Sequence, residues 1–112
     1  KTERTWGYYR VIHEYDKHTK VKELAVPPGN KLSMQRHEKR SEHWFVAEGT
    51  ATVYTLNVAT DYELYGTFDQ HKSLHIPQGM WHQLANESTV PLKLVEIQYG
   101  TNCVEEDIER RT

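Results

Sequence analysis

HWFVAEGTATVYTL, residues 43–56, holds two runs rich in aromatic and β-branched residues on either side of Gly49–Thr50. Such residues suit a pleated, half-buried strand, and a glycine between two such runs supplies the positive φ of a tight turn. The stretch therefore predicts two antiparallel strands joined as a hairpin. The same texture continues outward in both directions. Upstream, WGYYRVIHEY (6–15) reads as a first strand, followed by a turn through Asp16–Thr19 and a second strand, VKELAV (21–26), stopped by Pro27-Pro28-Gly29. KLSMQRH (31–37) is a short strand with Leu32 and Met34 on one face and Ser33, Gln35 and His37 on the other. Downstream come YELYGTF (62–68), KSLHI (72–76), WHQLAN (81–86) and LKLVEIQY (92–99), punctuated by Pro77-Gln78-Gly79 and by ESTVP. In the tail, NCVEEDIERR (102–111), Asn102 is placed to cap a short helix anchored by Ile108. Short strands at this spacing predict an all-β sandwich or barrel, with no helical stretch long enough for a βαβ crossover.

At 112 residues the chain is expected to form one domain over 1–112. A net charge of −2 with scattered basic residues carries no electrostatic footprint for nucleic acid. No apolar run approaches the ~20 residues of a membrane helix, and KTERTWGYYR is too polar for a secretory signal. Cys103 is the single cysteine, which excludes an intrachain disulfide and fits a reducing compartment. These features predict a cytoplasmic protein that binds neither nucleic acid nor membrane.

QRHEKRSEHW, residues 35–44, concentrates the chemistry. Gln35 and His37, two apart on a strand, project to one side; Glu42 follows across a short bend, and His82 comes three positions after Gly79. Two imidazoles, a carboxylate and an amide oxygen form a mixed N/O shell suited to a divalent first-row ion, with zinc, manganese, iron, cobalt and nickel all compatible. Read by spacing alone, the same residues equally form a solvated or hydrogen-bonded cluster.

Two motifs add to this. Gly29-x5-Gln35-x-His37-x4-Glu42-x6-Gly49 resembles the first motif of the cupin superfamily, and Pro77-x-Gly79-x2-His82-x3-Asn86 resembles the second. The second motif's leading glycine falls on His71. RTWGYY, PGNKLSMQRH, RSEHWFVAEGTATV, IPQGMWHQLAN, PLKLVEIQYG and EEDIER are together similar to the cupin module of type II mannose-6-phosphate isomerases. The likeness spans nearly the whole chain. Lys39 stands where that family usually has histidine, and Thr5 where it has proline; NVATDYELYGTFDQ is less typical than its flanks.

The resemblance implies a double-stranded β-helix, or jelly-roll cupin barrel, with the short helical tail appended. It implies one divalent metal per chain on Gln35, His37, Glu42 and His82, and a homodimer. It further implies interconversion of mannose 6-phosphate and fructose 6-phosphate through an enediol; other phosphosugar or nucleotide-sugar chemistry, or sugar binding without turnover, are the alternatives on such a scaffold. Proton transfer then needs a base, for which Glu96, His43 and Lys39 are candidates. Glu96 has a second reading as a carboxylate that orients a ligand, and His43, next to Glu42, should face the other way along a strand. For the sugar phosphate, Arg4, Arg40 and Arg110 are the family-like cations, with Lys31 and Arg36 also available. Trp6, Gln98 and Trp81 complete the candidate substrate contacts.

Overall fold

The computed structural model describes residues 1–57 and 61–111. Eleven strands run in chain order: β1 (Thr2–Arg4), β2 (Gly7–Asp16), β3 (Thr19–Val26), β4 (Met34–Arg36), β5 (Arg40–Glu48), β6 (Ala51–Leu56), β7 (Tyr62–Phe68), β8 (Ser73–Ile76), β9 (Gln83–Ala85), β10 (Leu92–Gly100) and β11 (Glu109–Arg111). Every pairing among them is antiparallel. One sheet has six strands in the order β1-β2-β3-β10-β5-β8. Opposite it lie β7-β6-β9 and β11-β4, which the bridges Lys31–Ala85 and Gln35–His82 join into one face. The result is an all-β, jelly-roll arrangement.

Residues 43–56 fold differently from the hairpin they predict. β5 pairs with β10 and β8, whereas β6 pairs with β7 and β9, so the two strands belong to opposite sheets. Gly49–Thr50 is a corner between layers. Gly49 adopts φ +84°, and a Cβ there would stand 2.4 Å from the Pro91 carbonyl oxygen, so the corner needs both the backbone freedom and the absent side chain of glycine. The end of β5 is paired instead by the turn that leads into β8: Val46 N–H donates to Lys72 O at 2.9 Å and His71 N–H to Val46 O at 2.7 Å. His71, at φ +70°, is the one non-glycine residue in the left-handed region among those described. The turn thus keeps its shape where the second motif's glycine is replaced.

The helical tail does not form. Among the described residues no helix is present; Cys103 to Ile108 runs irregularly and ends in β11, paired with β4. A segment this short is a marginal helix alone, and its polar groups find stronger partners across the chain. The Asp107 carboxylate accepts the N–H groups of Glu38 and Lys39 at 3.1 and 2.9 Å, and Glu109 meets Arg36 at 2.7 Å. Asn102, assigned as a helix cap, instead directs its N–H to Lys39 O at 3.4 Å. Thr2–Arg4 and Glu109–Arg111 add two strands absent from the sequence reading.

Strict alternation sets the inner face of the large sheet. Leu24 and Val26 of β3, Trp44 and Val46 of β5, and Leu92 and Leu94 of β10 meet Ala51, Val53 and Leu84 from the other layer to form the core. The same inward rows then change character. Towards one end they present Lys20 and Lys22, Arg40 and Glu42, and Glu96 and Gln98, all buried. One half of the barrel is apolar and the other is a charged layer, carried on the same three strands.

Candidate metal centre

Period-two alternation on β5 turns Arg40, Glu42 and Trp44 inward together. Each oxygen of Glu42 is held: Oε1 accepts the Trp44 indole N–H at 2.9 Å, and Oε2 accepts Arg40 Nε–H at 2.9 Å. His37 enters from the loop after β4, with Nε2 3.3 Å from Glu42 Oε2. His82 enters from just before β9, with Nε2 3.9 Å from Glu42 Oε1. All three residues are buried, and their ligand atoms lie within 4.8 Å of one another.

The outer nitrogens decide what these rings offer. His37 Nδ1 lies 2.7 Å from the Asp107 carbonyl oxygen, and His82 Nδ1 lies 2.9 Å from the Met80 carbonyl oxygen. A carbonyl can only accept, so each Nδ1 carries a proton and Nε2 is the nitrogen turned towards Glu42; at His37 that nitrogen also faces a donor-only Arg40 N–H at 3.3 Å and so holds a lone pair. Burial lowers the His37 pKa against the pull of Glu42, which keeps that imidazole neutral. Burial opposes ionisation of Glu42, but the Arg40 guanidinium and the Trp44 indole N–H against its two oxygens hold its carboxyl below the usual carboxylate range. Two imidazole nitrogens and a carboxylate, all within 4.8 Å of one another, are the donor set a divalent ion of the zinc type takes, so the residues fit a metal.

Gln35 is on the same wall. It exchanges backbone hydrogen bonds with His82 in both directions at 2.9 Å, which sets the two side chains side by side. Its amide nitrogen donates to Ser33 Oγ at 3.2 Å.

Glu42 and His82 of the cluster line a cavity of about 660 Å³. Glu42, Glu96 and Glu105 line it along with six cations, Arg4, Lys22, Lys31, Arg40, Arg110 and Arg111. Trp6, Tyr9, Trp44 and Tyr62 give it aromatic walls. Glu96 is buried and directly opposite both Trp44 and Lys22 in the sheet register. Burial, reinforced by repulsion from Glu42, pushes its carboxyl up to about 7, even though Lys22, Arg40 and the Gln98 amide favour the charged form. Gln98 Nε2 donates to Glu96 Oε1 at 2.5 Å, while its own buried Oε1 has no hydrogen-bond partner among the described residues.

Other predicted site residues lie elsewhere. His43 is exposed on the opposite face of β5, across from His75. Lys39 is exposed in the bend before β5 and borders a smaller cleft of about 330 Å³. Trp81 stacks under Arg36, 5.2 Å from its ring centre. Arg4 and Arg110 are exposed at the cavity, whereas Arg40 is buried and committed to Glu42, His37 and the Val104 carbonyl. Lys20, Lys22, Glu105 and Asp107 are site-forming residues that the sequence reading missed. Glu105 meets Lys22 at 2.6 Å and Lys20 at 3.7 Å. A usable signal existed for the lysines, since both share strand parity with Leu24 and Val26. Nothing local marks Glu105 or Asp107.

Known proteins resemble this chain over its whole length. The model of the family described as "Mannose-6-phosphate isomerase C-terminal" matches residues 1–112. A mannose-1-phosphate guanylyltransferase of Salmonella muenchen is 42% identical over 107 residues, which is 96% of this chain and 21% of that protein. The alginate biosynthesis protein AlgA of Pseudomonas aeruginosa is 37% identical over 107 residues, again 96% and 21%. The chain spans about a fifth of the length of these relatives. Among solved structures, a double-stranded β-helix protein of Klebsiella pneumoniae superposes with TM-score 0.77 at 16% identity, covering 94% of this chain and 84% of that one. Oxalate decarboxylase of Lactobacillus farciminis superposes with TM-score 0.78 at 19% identity, covering 96% of this chain and 32% of that one. Both structural likenesses concern the fold. With the two motifs, the jelly-roll topology and the buried His37–Glu42–His82 cluster in agreement, the chain belongs to the mannose-6-phosphate isomerase C-terminal family and is a cupin domain.

Proposed function

We propose that this cupin is a metal-dependent isomerase that interconverts mannose 6-phosphate and fructose 6-phosphate through an enediol. The observation that carries the reading is the meeting, in one cavity, of a buried metal-ligand set, a carboxyl that titrates near neutrality and an excess of cations. Gln35, His37, Glu42 and His82 would hold the ion, which when bound supplies Lewis-acid stabilisation of the negative charge developing on the substrate's O1 or O2.

The protein's own groups do the rest. Glu96, in its ionised form, takes the proton from C2 of the open-chain aldose. The C2–H electrons form the C1–C2 double bond, the C1=O π pair moves onto O1, and O1 takes a proton from water, which recovers one from O2 in the second half. Return of the proton to C1, with loss of the O2 proton, gives the ketose, so the step is redox-neutral and closes on itself. The Gln98 N–H holds Glu96 in place through both halves. Arg4 and Arg110, exposed at the cavity, are suited to the sugar phosphate, whose two negative charges balance the cationic lining. Trp6 and Tyr9 exclude water from one wall.

The test is fructose 6-phosphate formation from mannose 6-phosphate, coupled to a dehydrogenase, in protein reconstituted singly with each first-row divalent ion. Turnover abolished by chelator and restored by metal is expected. No turnover with any ion rejects the isomerase.

A further inference from the structure

We propose that Asp107 is a positioning residue for the metal centre, so that docking of the strap Val104–Arg111 and binding of the ion are coupled events. The inference rests on reading His37, Glu42 and His82 as ligands, and it gives the last segment of the chain a share in their affinity.

Asp107 grips His37 twice over. Its main-chain carbonyl accepts the Nδ1 proton of the ring at 2.7 Å. Its carboxylate spans the next two residues, with Oδ1 taking the Glu38 N–H at 3.1 Å and Oδ2 the Lys39 N–H at 2.9 Å. Ring tautomer, ring direction and the backbone that carries the ring all depend on one residue 70 positions away. A His37 ring released from that carbonyl would rotate, and its proton would be free to move to Nε2 and remove the ligand lone pair.

The rest of the strap reaches the other ligands. The Val104 carbonyl accepts Arg40 NH1 at 3.2 Å, and Arg40 in turn holds Glu42. Arg110 pairs with Gln35 in the β11–β4 register. Between them, Glu105 ties the strap to Lys22 on the cavity wall. Docking is mainly polar: the main apolar cluster contains no residue of the strap, and Ile108 is half-buried. A segment held this way opens at lower free energy than the core strands. Coupling is reciprocal, so an ion that needs an oriented His37 must also hold the strap down.

The experiment uses the full chain with Zn²⁺ alone as the probe. Zinc affinity is measured against a chromophoric chelator for wild type, Asp107→Ala and Asp107→Asn. Asp107→Ala keeps the main-chain carbonyl that faces the His37 ring but frees the Glu38 and Lys39 N–H groups that hold it there, and is expected to weaken binding by about 10-fold, the lower end of the cost of disturbing an outer partner of a ligand histidine. Asp107→Asn, which keeps one acceptor oxygen, should recover part of it. In the wild type, which needs no variant to fold, saturating zinc should slow cleavage within 104–111 by a glutamate-specific protease, and the slowing should shrink in Asp107→Ala. Zinc binding by Asp107→Ala within about threefold of wild type, or cleavage indifferent to zinc, overturns the coupling. Those results leave the isomerase reading standing, whereas coupling without turnover removes the isomerase and keeps the strap. A wild-type chain that takes up no zinc overturns the coupling, while the isomerase then stands or falls on turnover with the other first-row ions.

Discussion

Glu96 shows how one buried carboxyl ties stability to chemistry. Its carboxyl ordinarily titrates at 4.5 and is pushed up to about 7, chiefly by burial. Between those values the native state holds more protons than the unfolded chain, so metal-free stability falls as pH rises across that window and levels off above it. Glu96→Gln should flatten the decline, read as urea midpoints from pH 5 to 8; parallel declines in both proteins would place the titration elsewhere. In turnover the base must be ionised, so the rate should rise with pH towards about 7, with a bound divalent cation drawing the midpoint lower. The same variant should retain its metal and lose turnover. At this scale the His37, Glu42 and His82 cluster was legible because strand parity and motif spacing mark those positions. Parity marks Lys22 as inward but not its role, and nothing local marks Glu105, because the pair gains meaning only across 83 residues.

Among elements, the corner between β5 and β6 marks where local reading stops. Two strand-like runs around a Gly-Thr pair have the pattern of a hairpin, and no residue within 43–56 reports that the flanking strands pair with different neighbours. What decides it is the close approach of Pro91 to Gly49. Gly49→Ala would combine a left-handed backbone with an oxygen 2.4 Å from the new Cβ, costing roughly 2–4 kcal/mol. Gly29→Ala is the control: φ is +80° but nothing lies within 4 Å, so about 1 kcal/mol is expected. Equal losses for the two in chemical denaturation would contradict the packed corner. The tail failed as a helix for a related reason. Its helical tendency is local, while the groups that capture it, Arg36, His37 and Lys22, come from β4, the loop after it and β3. Strand positions elsewhere were readable because period-two burial leaves its mark on every second residue.

For the whole molecule, the metal centre sits between the two layers, with Glu42 on the large sheet and His82 at the edge of the small one. An ion held by both should resist their separation. At free metal of about 100 times its dissociation constant, binding adds roughly 2.7 kcal/mol. In a domain of this size that corresponds to a rise in Tm on the order of 10 °C, at ~4–8 °C per kcal/mol. Calorimetry with and without a chelator measures it, and an unchanged Tm would mean that no ion bridges the layers.

The charged half of the inner face also acts as a key for strand alignment. Slipping β10 by two residues against β3 and β5 would preserve which side chains point inward, so parity alone does not forbid it. Such a slip would slide Glu96 into the place of Leu94, stranding a carboxylate opposite Leu24 and Val46, or into the place of Gln98, setting it directly against the Glu42 carboxylate. The alternative alignment is closed by its electrostatic cost. The layer that binds the ion thereby also tells three neighbouring strands which of their near-equivalent alignments is the native one.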